Sequence, residues 1–259
     1  MTSPDSVIER SPDGSSSEED LDKMSFLQHL DELRRRLVYC IIALFAAFTV
    51  CWSFAPGIFE IIQEPLIRFL GPGEKLAFTR LTSPFFLYMK VAFFAGIFLA
   101  APLILWQGWL FISPGLYKRE RRYAGPFIVF ASLFFIGGGY FGYRVVLPIA
   151  CEFFVEMGSQ FRQVLTIDEY FSFAGKLLLG MALVFETPIL IFFLTRVGIV
   201  TPAFLIQKFK YAVVLIFVIA AIITPTPDMV TQAALAIPMI FLYLFGILIS
   251  WAFAPAPRT

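Results

Sequence analysis

Apolar residues along this chain gather into six long runs, at about residues 37–55, 84–111, 124–148, 170–195, 211–224 and 230–253, parted by short polar stretches. A helix crosses a ~30 Å hydrocarbon core with about 20 residues at ~1.5 Å each. The pattern therefore predicts six transmembrane helices. The fifth run has 14 residues, a length of roughly 21 Å. Either the bilayer thins around it or neighbouring helices shield its ends.

Ahead of the first run, Phe26, Leu30, Leu33 and Leu37 recur at helical spacing behind Ser25, a plausible N-cap. This predicts an amphipathic interfacial helix that feeds span one. Pro102, Pro148, Pro188 and Pro238 stand in or at the ends of spans. Each removes a backbone donor, so bent helices and a cupped bundle are expected, or else plain packing. In span three, Gly138 and Gly142 show small-xxx-small spacing, which reads as ordinary close helix packing.

Composition agrees with the pattern. Of 259 residues, 59% are hydrophobic and only 15% charged, with a mean hydropathy of +0.80; soluble domains carry roughly 25% charged residues. Residues 1–24 differ: Asp5, Glu9, Asp13, Glu18, Glu19, Asp20 and Asp22 stand against Arg10 and Lys23. They lack an apolar core segment, so they read as a disordered acidic cytoplasmic tail, not a cleavable signal. Residues 25–259 form a single membrane domain with 18 basic and 12 acidic residues, a net charge of +6. Six spans place thirteen Lys and Arg on the side of the termini and seven on the other. Both termini are therefore expected to be cytoplasmic. The positive charge follows from that rule and implies no nucleic-acid partner.

The inventory of reactive groups is thin. One His (His29), three scattered cysteines, no Walker loop and no Gly-x-Gly-x-x-Gly after a strand argue against an enzyme. Neither a metal nor a cofactor is expected.

Three places carry polar chemistry. Glu186 lies inside the apolar run 177–194, where a charge costs at least ~2.5–3.5 kcal/mol. It is either a functional intramembrane acid or a carboxyl hydrogen-bonded to a neighbouring helix. Glu120 is a single acid among Lys118, Arg119, Arg121 and Arg122. It either neutralises a solvated loop or is held ready to accept a guanidinium. Asp228 and Gln232 follow the tight turn between spans five and six, where Asp228 is expected to cap the last helix. Glu32 and Arg36 stand at i, i+4, a spacing that suits a surface ion pair.

Taken in order, several motifs resemble the TatC family, the multi-span receptor subunit of the twin-arginine (Tat) protein translocase. They are His29-Leu30-Asp31-Glu32-Leu33-Arg34-Arg35-Arg36-Leu37, Ser83-Pro84-Phe85-Phe86, and the stretch 107–122 from Gln107 to Arg122. Phe185-Glu186-Thr187-Pro188, Thr226-Pro227-Asp228 with Gln232, and Ala236-Ile237-Pro238 complete the set. The resemblance covers roughly residues 25–253 and leaves the acidic tail outside. It implies an all-α membrane protein with a cupped six-helix body in the cytoplasmic (inner) membrane. It also implies the binding of twin-arginine signal peptides and the export of folded cargo driven by the proton gradient. Implied partners are single-span TatA- and TatB-type subunits, further TatC copies and membrane lipid.

By position, the family's signal-binding residues fall on Glu32, Arg34, Phe111 and Glu120. Pro65 falls on a functional position of the first outer loop, Glu186 on the intramembrane acid, and Asp228 and Gln232 on the partner-docking turn. Residues 224–227 read Thr-Pro-Thr-Pro, where some members have a shorter Thr-Pro-Pro, so equivalence just before Asp228 stays open. The rival reading is a small proton- or ion-coupled secondary transporter using Glu186; the lack of internal repeats and broken-helix pairs counts against it.

Overall fold

Residues 14–70, 75–112, 124–161, 163–224 and 228–253 are described by the computed structural model, and they fold almost wholly as helix. The elements are α1 (Gly14–Ser53), α2 (Ala55–Ile67), α3 (Ser83–Ile112), α4 (Ala124–Phe141), a π-helical segment (Gly142–Val146) and α5 (Leu147–Met157). There follow α6 (Ile167–Phe185), α7 (Thr187–Arg196), α8 (Pro202–Gln207), α9 (Phe209–Ile223) and α10 (Met229–Phe253).

Among the described residues, five stretches are long and apolar enough to cross a membrane: Leu30–Ser53, Ser83–Phe111, Ile128–Met157, Ile167–Arg196 and Met229–Phe253. The chain is thus a multi-pass membrane protein. The fifth apolar run forms α9, with 15 residues, about 22 Å of helix. Large apolar side chains point outward along these helices. Phe45, Ile222 and Trp251 are each at least 70% exposed, as expected where lipid rather than water is the solvent.

Three features go beyond the pattern of apolar runs. Residues 14–24 belong to α1, although their composition suggested disorder. Glu18, Glu19 and Lys23 are good helix formers as well as charged, and the helix runs on without a break into the first span. The stretch between the first two spans contains a helix, α2, that no periodicity had announced. Its entry is set by Pro56 in the first turn, where the missing N–H is no loss. Finally, the helices accommodate the four prolines in different ways. α3 and α10 continue through Pro102 and Pro238.

At Pro148 the sequence placed the end of span three, yet the helix continues to Met157. Pro148 has no N–H to offer the carbonyl four residues back, and the ladder slips by one residue just before it. Leu147 N–H bonds Gly142 O, five residues back, which is the π spacing. At Pro188 the run divides into α6 and α7, with Glu186 at the joint.

Packing rests on small residues. A Cβ on Gly138 would lie 2.7 Å from Met181 O, and one on Gly142 would lie 3.2 Å from Met181 Cβ. The 138/142 pair therefore faces α6, as the spacing suggested. A Cβ on Gly96 would lie 3.1 Å from the backbone nitrogen of Phe48, and Arg36 reaches Gln107. α1 and α3 are thus antiparallel, with positions that sum to about 143 or 144 at the same level. The main core joins Leu147, Ala150 and Cys151 of α5 to Leu177 and Met181 of α6 and Leu235, Ala236 and Met239 of α10. Near one end, Ala77 bridges Leu165 and Ile167 through two 2.9 Å backbone bonds. This clasps the α2–α3 connection to the start of α6.

Candidate functional site

The apolar stripe expected of the interfacial helix is present on α1. Leu30, Leu33 and Leu37 are exposed, while Glu32 and Arg36 turn toward α3 and are half-buried. Arg36 Nη2 donates to Glu32 Oε1 at 3.0 Å, and its Nη1 donates to Gln107 Oε1 of α3 at 3.1 Å. The anticipated i, i+4 ion pair therefore exists, but it is also a tie between two helices. Arg36 Nε is buried without a partner among the described residues.

The antiparallel register places Phe111 at the level of Glu32, and Phe111 is half-buried at the end of α3. Two residues back, Trp109 is buried and meets Phe193 of α7 edge-on at 5.7 Å. Arg34 points to the surface. Arg35 does too, and its Nε donates to the Tyr39 hydroxyl at 3.3 Å. Glu120, the second proposed carboxylate, lies outside the described residues. This end of the molecule can hold a guanidinium on a carboxylate braced against a second helix.

Glu186 caps the end of α6 and the start of α7. Its N–H turns back to Leu183 O at 3.1 Å, and its carbonyl accepts from Leu190 at 2.9 Å. The side chain is 9% exposed, and Oε1 has no hydrogen-bond partner among the described residues. The expected bond to a neighbouring helix is thus not made by Oε1. A buried carboxyl oxygen left so is unusual.

Asp228 does cap α10. Its Oδ1 accepts from Thr231 N–H at 2.7 Å, and Oδ2 takes the Thr231 hydroxyl. Gln232 Nε2 donates to Phe217 O at 3.0 Å and so ties α10 to α9. A Cβ added to Gly180 would strike Ile223, the last residue of α9. Gly180 lies about 20 Å along α6 from its start at Ile167. The end of α9 thus lies beside the middle of the Ile167–Arg196 stretch, well short of the start of α6.

Pro65 is buried inside α2, far along the chain's other end from Glu32. Around it stand residues to which sequence reading gave no role. The Tyr143 hydroxyl lies 2.9 Å from Ile61 O and 3.1 Å from Glu64 Oε2. The Tyr170 hydroxyl donates to Ile62 O at 2.6 Å. Arg68 pairs with Glu64, and that hydrogen bond, with help from Tyr143, holds the Glu64 carboxyl below the usual carboxylate range. Gln107 was also missed as a contact. Its signal was a lone amide between Trp106 and Gly108 in an apolar run. Among the described residues, no group of three His, Cys, Asp or Glu side chains can hold a metal ion.

Comparison with known proteins matches this architecture. Residues 28–238 match the family model of the Sec-independent protein translocase protein (TatC). A Sec-independent protein translocase protein TatC of Koribacter versatilis is 44% identical over 245 residues, covering 93% of this chain and 90% of the relative. One from Helicobacter pylori strain J99 is 41% identical over 235 residues, covering 89% of this chain and 90% of the relative. Two crystal structures of a twin-arginine translocase receptor, TatC, superpose with TM-scores of 0.77 and 0.79 at 36% and 37% identity. Each covers 86% of this chain, and 98% and 99% of the solved chains respectively. With the motifs in order, the helices in place and the match spanning most of the sequence, this chain belongs to the TatC family.

Proposed function

We propose that this chain is the signal-peptide receptor and core subunit of a twin-arginine translocase, which exports folded proteins across the cytoplasmic membrane at the expense of the proton gradient. In this reading α9 is also a span, the fifth of six in chain order, and both termini are cytoplasmic. The distribution of Lys and Arg supports that orientation. Glu32, Arg34, Phe111 and Glu120 then form the cytoplasmic face that receives the signal. Glu186 and the Asp228–Gln232 turn meet single-span partner subunits of the TatA and TatB type, and further copies of the chain and lipid complete the assembly. Pro65 belongs to the outer face.

The observation that carries this reading is the Glu32 carboxylate itself. It already accepts a guanidinium, from Arg36, at 3.0 Å, so its setting suits the group that a twin-arginine signal presents. A planar guanidinium makes two parallel bonds to a carboxylate, which a lysine ammonium does not. Glu120 offers a second carboxylate for the second arginine.

Binding of twin-arginine and twin-lysine peptides to wild type, Glu32→Ala, Glu120→Ala and the double variant tests the assignment. Glu32 and Arg36 keep 32% and 25% of their side-chain surfaces open, so the pair lies between exposed and desolvated limits. A loss of about tenfold is expected for Glu32→Ala. The preference for arginine over lysine is expected to shrink in each variant. Undiminished binding in a folded double variant would remove these two residues from the receptor.

A further inference from the structure

Pro65 sits inside α2, so it cannot donate to the carbonyl one turn back, that of Ile61. That carbonyl is nonetheless engaged. The Tyr143 hydroxyl, from the π-helical segment of the third span, lies 2.9 Å from it. The geometry points to Tyr143 as a positioning residue for the outer face: its hydroxyl takes the place of the backbone donor that Pro65 removes, and so fixes α2 against the bundle.

Three observations fit together in this assignment. Tyr143 lies within Gly142–Val146, where the ladder has slipped to π spacing ahead of Pro148. An inserted residue rotates the side chains around it relative to a regular helix, and such segments concentrate at functional places. Next to this contact, the Tyr170 hydroxyl of α6 takes the following carbonyl, Ile62 O, at 2.6 Å. Two phenols, one from the π-helical segment and one from α6, therefore grip adjacent carbonyls in the turn of α2 that precedes Pro65. Lastly, Ile58 and Ile62 of α2 form one wall of an open cavity of about 270 Å³ that Phe94, Phe98, Phe171 and Leu178 also line. Where α2 is held decides the width of that cavity.

The Tyr143 proton is shared, since Glu64 Oε2 lies 3.1 Å from the same hydroxyl. A test must therefore separate the carbonyl from the carboxylate. Amide hydrogen exchange over residues 55–70 is measured in the full-length protein in lipid nanodiscs, for wild type, Y143F, P65A, the double variant and E64Q. Y143F is expected to speed exchange about fivefold, the worth of one ordinary hydrogen bond. In P65A the backbone N–H regained at position 65 supplies Ile61 O, so adding Y143F is expected to change little. E64Q is expected to exchange as wild type does.

Additive effects of Y143F and P65A would overturn the proposal, as would an E64Q variant that reproduces Y143F in full. If Y143F alone fails to accumulate, accumulation is read instead. P65A/Y143F at the level of P65A supports the assignment, and its failure to accumulate overturns it. The role in export rests on the translocase reading above, whereas the exchange measurement does not. Export slowed by Y143F and no further slowed by Y143F in P65A is the expected companion result. Faster exchange with export untouched would confine Tyr143 to α2 geometry and remove it from transport.

Discussion

The polar residues of this protein act through partners that one-dimensional spacing reveals unevenly. Glu32 and Arg36 were legible as a pair because i, i+4 neighbours share a helix face. The third member, Gln107, lies 71 residues away, and only the α1–α3 packing brings it in. Tyr143 was hidden for a similar reason, since its acceptor is a backbone carbonyl exposed by a proline 78 positions earlier in the chain. Asp228 was legible as a cap because the cap is local. Replacing an N-cap Asp by Ala typically costs about 1 kcal/mol, whereas Asn caps nearly as well. Thermal unfolding in detergent should rank wild type and Asp228→Asn close together and Asp228→Ala below both. Equal losses in the two variants would mean that the charge at this turn, and not the cap, sets its stability. Phe111 could be placed beside Glu32, while Glu120 lies beyond the described residues.

Among the helices, the apolar runs predicted existence and order well and ends less well. A proline can break a helix, and at Pro188 a run read as one span divides into α6 and α7. At Pro148 the backbone absorbs the same defect by slipping into π spacing, and the helix runs nine residues further than expected. No one-dimensional signal separates those outcomes, because the packing of neighbouring helices decides between them. Gly138 gives a sharp test of that packing. A Cβ there would lie 2.7 Å from the Met181 carbonyl oxygen, while one on Gly137 meets nothing within 4 Å. Gly138→Ala should lower the melting temperature by several degrees, as overpacking costs about 1–3 kcal/mol. Gly137→Ala should leave it unchanged or raise it slightly. The reverse ranking would mean that α4 does not face α6 as described.

The molecule as a whole has a polar face at each end and a belt of outward apolar side chains between them. The charge asymmetry behind the proposed orientation was fully legible, because topology depends on residue type and loop position more than on packing. In a variant lacking native cysteines, single cysteines at positions 13, 119 and 207 should react only with reagent on the cytoplasmic side. Those at 73 and 160 should react only from outside. The opposite pattern would invert the topology.

The shortness of α9 bears on how the chain enters the membrane during synthesis. A 15-residue apolar helix falls below the ~20 residues with which a segment commits to the bilayer on its own. In the six-span reading proposed above, α9 is therefore expected to wait for α10. Once α10 emerges, Gln232 can bond Phe217 O of α9, and the two helices are expected to enter as a hairpin. A chain halted at residue 224 should leave a cysteine at position 218 open to aqueous reagent, and extension to residue 253 should close it. Protection of that cysteine in the halted chain would show that α9 inserts unaided.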